Sequence, residues 1–501
     1  MEPKVVLLYP PNQSLPGIMC KPNGSLAYPY LAGALTERNV ETSIFDACVG
    51  NEKDDLGTVF YRSRELSSGL FRTGVSEERI LEEVADADVV GLTSIFTNQE
   101  TMVLAAARLI KQAFPEKLIV SGGVNARSRW KWFLLHGVDV ICLSEAEKTV
   151  LQIVEAVEGF RDWRDVSAIA KMHDGRAMRA SARIDDFFWN LDELPMPRWD
   201  LLPLSRYWKI ARPHGGHFKP GAELRYASMM TTRGCLFTCS YCHIAGETAD
   251  SVSGAVGRFR LKSDERVMKE LAILKCLGVT QVYIEDDMFL GRKQRALRLL
   301  RNIREADVAI SDVNGVNVVH MFRRGVSRKY DVDDEILDAL KEAGFREVVL
   351  AFESAVPRVL RKYATNKWDP EHMPIGELIQ ACKRCGLTVG GNYMLGYPDE
   401  TREEMQATID LARQHKEAGI DWVNFFSVMP LPGTPLFDEA IQGGYFSPDF
   451  NPDYMDWTRA TLKNTLVPAE EVTEIRQRAW EELNSKEFQQ NKVAMAPLNS
   501  S

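Results

Sequence analysis

Short apolar runs alternate with amphipathic stretches over residues 4–158, the pattern of buried strands separated by helices laid on a sheet. Val5–Tyr9, Thr42–Asp46, Val89–Ser94, Leu118–Ser121 and Val138–Leu143 read as strands, and Leu26–Arg38, Asn98–Ala113 and Glu147–Val157 as helices. This alternation predicts a doubly wound parallel sheet. Ligands of such sheets bind beyond the carboxyl ends of the strands, which points to the loops Pro10–Asn12, Ser94–Asn98, Gly122–Ala126 and Ser144–Glu147. The polar stretch Asn51–Gly74 has no assigned element and is a candidate lid over that edge.

Residues 159–222 read as a connector with a small hairpin at Ala168–Met172 and Ala177–Ala180. A proline-rich run follows, Leu191 to Asp200, whose prolines forbid regular helix. Strands then appear at Ala227–Thr231, Gln281–Glu285, Gly315–His320, Val348–Phe352, Thr388–Leu395 and Trp422–Val428. Six strand–helix units between residues 223 and 430 predict a partial (β/α)6 barrel with its site at the carboxyl edge. Residues 431–501 form a small, mostly helical C-terminal region with one clear helix at Glu470–Lys486. The fold class is therefore α/β, with a doubly wound domain over 1–158 ahead of the barrel.

Composition narrows the function. With 61 basic against 70 acidic residues the net charge is −9, so no nucleic acid partner is expected. No apolar run reaches the ~18–20 residues of a transmembrane segment and no signal peptide is read at the N-terminus, so the expected location is cytoplasmic. Nine cysteines, three of them in one local motif, suit a reducing compartment better than a disulfide framework.

That motif is Thr232-Arg233-Gly234-Cys235-Leu236-Phe237-Thr238-Cys239-Ser240-Tyr241-Cys242. Cys-x3-Cys-x2-Cys spacing suits three thiolates on one face of an iron–sulfur cube and leaves one iron free for substrate or cofactor. A zinc knuckle is the plainer reading, and His243 is adjacent, but no Cys-x2-Cys partner pair stands at zinc-ribbon spacing. Cys382 and Cys385 lie on one helix and read as packing cysteines.

The motif, with Tyr241 before its last cysteine, resembles the signature of the radical S-adenosylmethionine (SAM) superfamily. The resemblance implies a [4Fe-4S] cluster held by Cys235, Cys239 and Cys242, SAM chelated to the open iron, and a 5′-deoxyadenosyl radical. The N-terminal region resembles the cobalamin-binding, Rossmann-like domain that precedes the barrel in the methyltransferase-like class of these enzymes. Its matching pieces are Leu8-Tyr9-Pro10-Pro11-Asn12, Leu31-Ala32-Gly33-Ala34-Leu35, Val120-Ser121-Gly122-Gly123 and Ser144-Glu145-Ala146-Glu147. The resemblance implies cobalamin contacts at Pro10, Pro11, Asn12, Thr93, Ser94, Gly122, Gly123, Ser144 and Glu145. One departure stands out. Cobalamin proteins with a histidine lower ligand carry Asp-x-His-x-x-Gly, whereas this chain has Asp46-Ala47-Cys48-Val49-Gly50 and no histidine before His136.

Carried onto the barrel, the resemblance implies a SAM site of Tyr241, Glu285, Asp286, Glu353, Ser354, Asn392, Met394, Gly396, Met429 and Pro430. The acidic run Glu285-Asp286-Asp287 would pair with the methionyl ammonium, Glu353 with ribose hydroxyls, and the turn at Met429-Pro430 with adenine. Thr401 and Glu404 have a complete structural account as a helix capping box.

The implied activity is methylation of an unactivated carbon of a small-molecule, natural-product or lipid substrate through methylcobalamin, with a low-potential donor such as flavodoxin or ferredoxin. Cyclisation, ring contraction or rearrangement without methyl transfer is the alternative. A non-catalytic corrinoid or iron–sulfur sensor is the alternative of another class. No residue is assigned as general acid or base. His214–Glu223 and Arg323–Arg328 carry basic residues able to approach an anionic substrate, and solvated loops explain them equally well.

Overall fold

The computed structural model describes residues 3–18, 20–22, 24, 26–212, 224–324, 330–365, 367–447 and 450–494. The candidate basic segment His214–Glu223 and residues 325–328 of the second lie outside the described residues.

Seven strands form the N-terminal sheet, in the order Arg176–Ala180, Ile169–His173, Val140–Cys142, Leu118–Gly122, Val89–Thr93, Val5–Tyr9, Thr42–Asp46. The five strands expected from the apolar runs are all present and run parallel. Val5–Tyr9, between Val89–Thr93 and the edge strand Thr42–Asp46, is buried at every position, as a strand covered on both faces must be. Two separate apolar clusters line the two faces, one around Val6, Leu8, Ile110 and Phe133, the other around Leu7, Leu35, Ile153 and Val154.

The hairpin expected in the connector, now Ile169–His173 and Arg176–Ala180, pairs antiparallel with Val140–Cys142. The sheet thus continues beyond residue 158 to Ala180. The candidate lid is not a loose flap. It contributes Arg64–Glu65 and Phe71–Thr73 to a small antiparallel sheet completed by Asn12–Ser14, next to Pro10 and Pro11.

The barrel strands keep chain order but split into two sheets. Tyr226–Met229, Gln281–Ile284 and Ala309–Asp312 form one, and Val316–Asn317, Glu347–Glu353, Thr388–Leu395 and Trp422–Ser427 the other. A parallel bridge from Ile310 to Phe345 joins them. The third strand is therefore Ala309–Asp312, and the segment expected to supply it, Gly315–His320, gives only Val316–Asn317, paired with the fourth strand. Ala309-Ile310-Ser311-Asp312 has one large apolar residue, too weak a run to register as a strand in the sequence.

The C-terminal helix and the connector are both tied to this frame. Asn484, at the end of helix Ala469–Leu483, donates to Val423 O (2.9 Å) and accepts from Val423 N (3.0 Å), so one side-chain amide pairs with the last barrel strand. The connector at Pro195–Met196 lies against helix Ala27–Glu37 at Gly33, where a Cβ would stand 2.3 Å from Met196 O. On the barrel side, Arg266 donates to Leu194 O (2.5 Å) and Pro195 O (2.8 Å).

Candidate active site

The carboxyl ends of the N-terminal sheet face the cluster loop across one cavity of about 670 Å³. Pro10, Pro11, Asn12, Thr93, Ser94, Gly122, Gly123, Ser144 and Glu145 all line it. Gly123 makes the turn beside Ser94: its φ is +99°, and a Cβ there would stand 2.5 Å from Ser94 O. The opposite wall comes from the barrel region and includes Thr232, Arg233, Gly234, His243, Glu247, Glu285 and Asp287.

The cluster loop is fixed before its first cysteine. Thr232–Arg233 pairs antiparallel with Arg260–Leu261, and Cys235 N donates to Gly257 O at 3.1 Å. Gly234 has φ +78°, and a Cβ there would meet Arg258 O at 2.4 Å and Gly257 O at 2.5 Å, so glycine is required. Further along, Ser240 N donates to Tyr363 O (2.8 Å) and Leu436 N donates to Ser240 O (2.9 Å). Cys239 is buried, Cys235 and Cys242 are half-buried, and none of the three forms a disulfide. Burial raises all three thiols, Cys242 to about 12. Three unpaired thiols on one braced loop are a donor set that fits iron.

The acidic run divides its labour. Asp286 is buried and accepts from Thr231 N (2.5 Å), Thr231 Oγ1 (2.5 Å) and Thr232 N (3.1 Å), which anchors the start of the cluster loop. Its carboxylate is thus turned toward the protein, and Asp286 is not among the described residues that line the cavity. Glu285 accepts from Ser228 Oγ at 2.5 Å and lines the cavity. Asp287 accepts from Gly234 N at 3.2 Å and opens into the cavity, and the enclosing protein pushes its carboxyl up to about 6.

The remaining expected SAM positions form a second group at the ends of the fourth to sixth barrel strands. Tyr241 lies against the cluster of Met394, Tyr397 and Val428. Glu353 sits at φ +61°, an uncommon conformation for a side chain of its size, and accepts from Lys367 Nζ at 2.8 Å. Ser354 Oγ accepts from Val356 N at 3.1 Å, Asn392 Oδ1 accepts from Asn424 Nδ2 at 3.4 Å, and Gly396 N donates to Glu400 Oε2 at 2.7 Å. Met429 and Pro430 are buried in the turn after the sixth strand. Thr401 and Glu404 form the expected capping box.

Ion pairs cross between the two walls. Arg233 of the cluster loop donates to Glu147 (2.6 Å) and forms an ion pair with Glu145 (2.9 Å), while Arg260 donates to Glu145 (2.5 Å) and Arg127 to Glu247 (2.5 Å). Glu145 therefore docks the domains as well as lining the cavity. Arg233, Arg127, Glu247, His243 and Lys367 were absent from the expected site, and Asp287 entered it only as a member of the acidic run. Of these, only Arg233, His243 and Asp287 stood beside motifs already quoted. Cys48 and Cys20 also line the cavity with their sulfurs 3.5 Å apart, a pairing of loops 28 positions apart that no local spacing announces.

Residues 229–412 match the radical SAM superfamily. The chain carries a radical SAM domain. It begins at the last residue of the first barrel strand and includes the cluster loop and the fourth and fifth strands. Along most of its length the chain is similar to two named methyltransferases. An uncharacterized methyltransferase of Pyrococcus horikoshii is 26% identical over 448 residues, 86% of this chain and 88% of that protein. Cytidylyl-2-hydroxyethylphosphonate methyltransferase of Streptomyces wedmorensis is 25% identical over 518 residues, 96% of this chain and 90% of that protein. Among solved structures, the radical SAM methyltransferase TsrM of Kitasatospora setae, determined with cobalamin and a [4Fe-4S] cluster bound, superposes with a TM-score of 0.64 at 17% identity. The match covers 95% of this chain and 85% of TsrM. The radical SAM domain and the sheet before it thus share the fold of that enzyme.

Proposed function

We propose that this protein is a cobalamin-dependent radical SAM methyltransferase acting on an unactivated carbon of a small molecule, natural product or lipid. The observation that carries the reading is the single cavity walled on one side by the strand-end loops of the N-terminal sheet and on the other by the cluster loop and Asp287. At about 670 Å³ it lies within the ~300–1,000 Å³ common for ligand sites. The cluster, SAM and corrinoid, when bound, supply the radical and the methyl group.

The residues present suit those groups. Cys235, Cys239 and Cys242 would hold the cluster, with Gly234 shaping their loop. Gly91, Gly122 and Gly123 leave backbone open on the N-terminal wall, beside the apolar Val5, Leu7 and Val120, a surface suited to a broad, largely apolar ring. His243 on the barrel wall is the histidine among the described lining residues, so the N-terminal wall offers a corrinoid no imidazole. Asp287, with Glu285 beside it, would take the cationic end of SAM. Arg233 and Arg127, by pairing with Glu145, Glu147 and Glu247, hold the two walls together around the reacting atoms.

Among the described residues no helix is long and apolar enough to cross a membrane. The electron is expected from a low-potential flavodoxin or ferredoxin. The test is anaerobic reconstitution with iron, sulfide, cobalamin and methyl-labelled SAM. Formation of 5′-deoxyadenosine and S-adenosylhomocysteine, with label in a product, supports the reading. Formation of 5′-deoxyadenosine without methyl transfer points to radical rearrangement, and no SAM cleavage by the reduced protein sinks both in favour of a sensor.

A further inference from the structure

The turn after helix Pro357–Tyr363 forms a roof over the cysteines. Tyr363 O accepts from Ser240 N at 2.8 Å, and Thr365 Oγ1 accepts from Thr238 N at 3.2 Å and lies 4.0 Å from Cys239 Sγ. Thr365 holds φ +54°. Two residues later Lys367 turns inward, its side chain 14% exposed, with Nζ 5.8 Å from the centre of the Tyr241 ring. Its direct ionic partner is Glu353, itself only 9% exposed. The thiols of Cys239 and Cys242 both act on the Lys367 ammonium electrostatically, and Lys367 acts in turn on Cys235.

A long, strongly hydrated cation is costly to enclose, and a cation that serves only packing sits at the surface with its stem buried. Lys367 instead turns its ammonium, paired with Glu353, toward Tyr241 of the cluster loop, two residues from Thr365, which touches Cys239. Asp287 reaches the same loop through Gly234 N, at 3.2 Å. Cluster potentials follow net charge and the groups around the sulfurs, because reduction adds one negative charge to the cluster.

We propose that Lys367 is a positioning residue for electron transfer: its ammonium, braced by Glu353, raises the reduction potential of the cluster that Cys235, Cys239 and Cys242 would hold. This rests on the cluster assignment above. In the step concerned the oxidised cluster accepts one electron from an external low-potential donor, no bond is made or broken in the protein, and the added charge is offset by the ammonium. A neutral side chain leaves that charge unopposed and makes the cluster harder to reduce.

The experiment is a potentiometric titration of the reconstituted cluster, without SAM, followed by the electron paramagnetic resonance signal of the reduced form. Lys367→Met and Lys367→Gln are compared with wild type and Lys367→Arg, each normalised to iron content. Both neutral variants are expected to hold iron and to lower the reduced-to-oxidised ratio at a fixed poise about tenfold, equivalent to ~59 mV for one electron. Lys367→Arg is expected to remain near wild type. An unchanged midpoint in the neutral variants overturns the proposal, and loss of iron in both makes Lys367 a structural residue and overturns it as well. Failure of the underlying assignment reads differently: wild type itself would bind no cluster, or would keep it when Cys235, Cys239 and Cys242 are replaced by alanine.

Discussion

Arg233, two residues before the first cluster cysteine, donates to Glu147 of the N-terminal domain at 2.6 Å, and the two side chains are only 10% and 5% exposed. A buried pair broken on one side leaves an uncompensated charge, a loss of ~3–5 kcal/mol. Arg233→Ala is therefore expected to lower the thermal midpoint markedly, whereas Arg233→Ala with Glu147→Ala costs less than the sum of the single changes. Thermal unfolding of the four proteins measures the coupling, and strict additivity would contradict the pairing.

Gly234→Ala tests the loop itself. With φ +78° and two carbonyl oxygens within 2.5 Å of the added carbon, the chain has to move exactly where the first thiol is aimed. The variant is expected to keep the circular dichroism of the folded protein and to take up much less iron per chain on reconstitution. Full iron content would show that the loop tolerates the shift.

The doubly wound domain was legible because its strands are dense apolar runs of ordinary length between amphipathic helices. The carboxyl ends of those strands then indicated which loops would hold a ligand, and residues of all four loops line the cavity. Two kinds of information were not legible. Ala309–Asp312 carries little apolar signal, and its place as a strand comes from pairing with Gln281–Ile284. In Glu285-Asp286-Asp287 the composition announced a site, but which carboxylate faces inward depends on where the strand ends: Asp286 turns to Thr231 and Asp287 to the cavity. Arg233 and Glu147 are 86 positions apart, beyond any local pattern.

Asp312 gives a pH signature. Burial first, and then the negative charge of Asp286, push its carboxyl from 3.8 up to about 7. Between those values the folded protein holds a proton that the unfolded chain has released, so this group's contribution to stability falls as pH rises from about 4 to 7. Asp312→Asn removes that slope. Relative to wild type, the variant is expected to gain ~2–4 kcal/mol between pH 4 and pH 8, read from denaturant unfolding at each pH. A difference that does not vary with pH would refute this.

Gly33→Ala tests the strap between the lobes. The added carbon would stand 2.3 Å from Met196 O, so either the helix or the connector must yield. Alanine favours a helix by ~1 kcal/mol over glycine, so a net loss of ~1–3 kcal/mol in chemical denaturation would identify crowding as the larger effect. A stabilised variant would mean that the connector moves freely.

The shared walls of the cavity also set a timetable. During synthesis the N-terminal sheet emerges first with its strand ends facing water. The opposing Arg233, His243, Glu247 and Asp287 follow only after the whole sheet and connector have been made. The chamber is therefore created by the docking of a later segment on an earlier one. A guest that touches both walls therefore finds its complete site only after that docking.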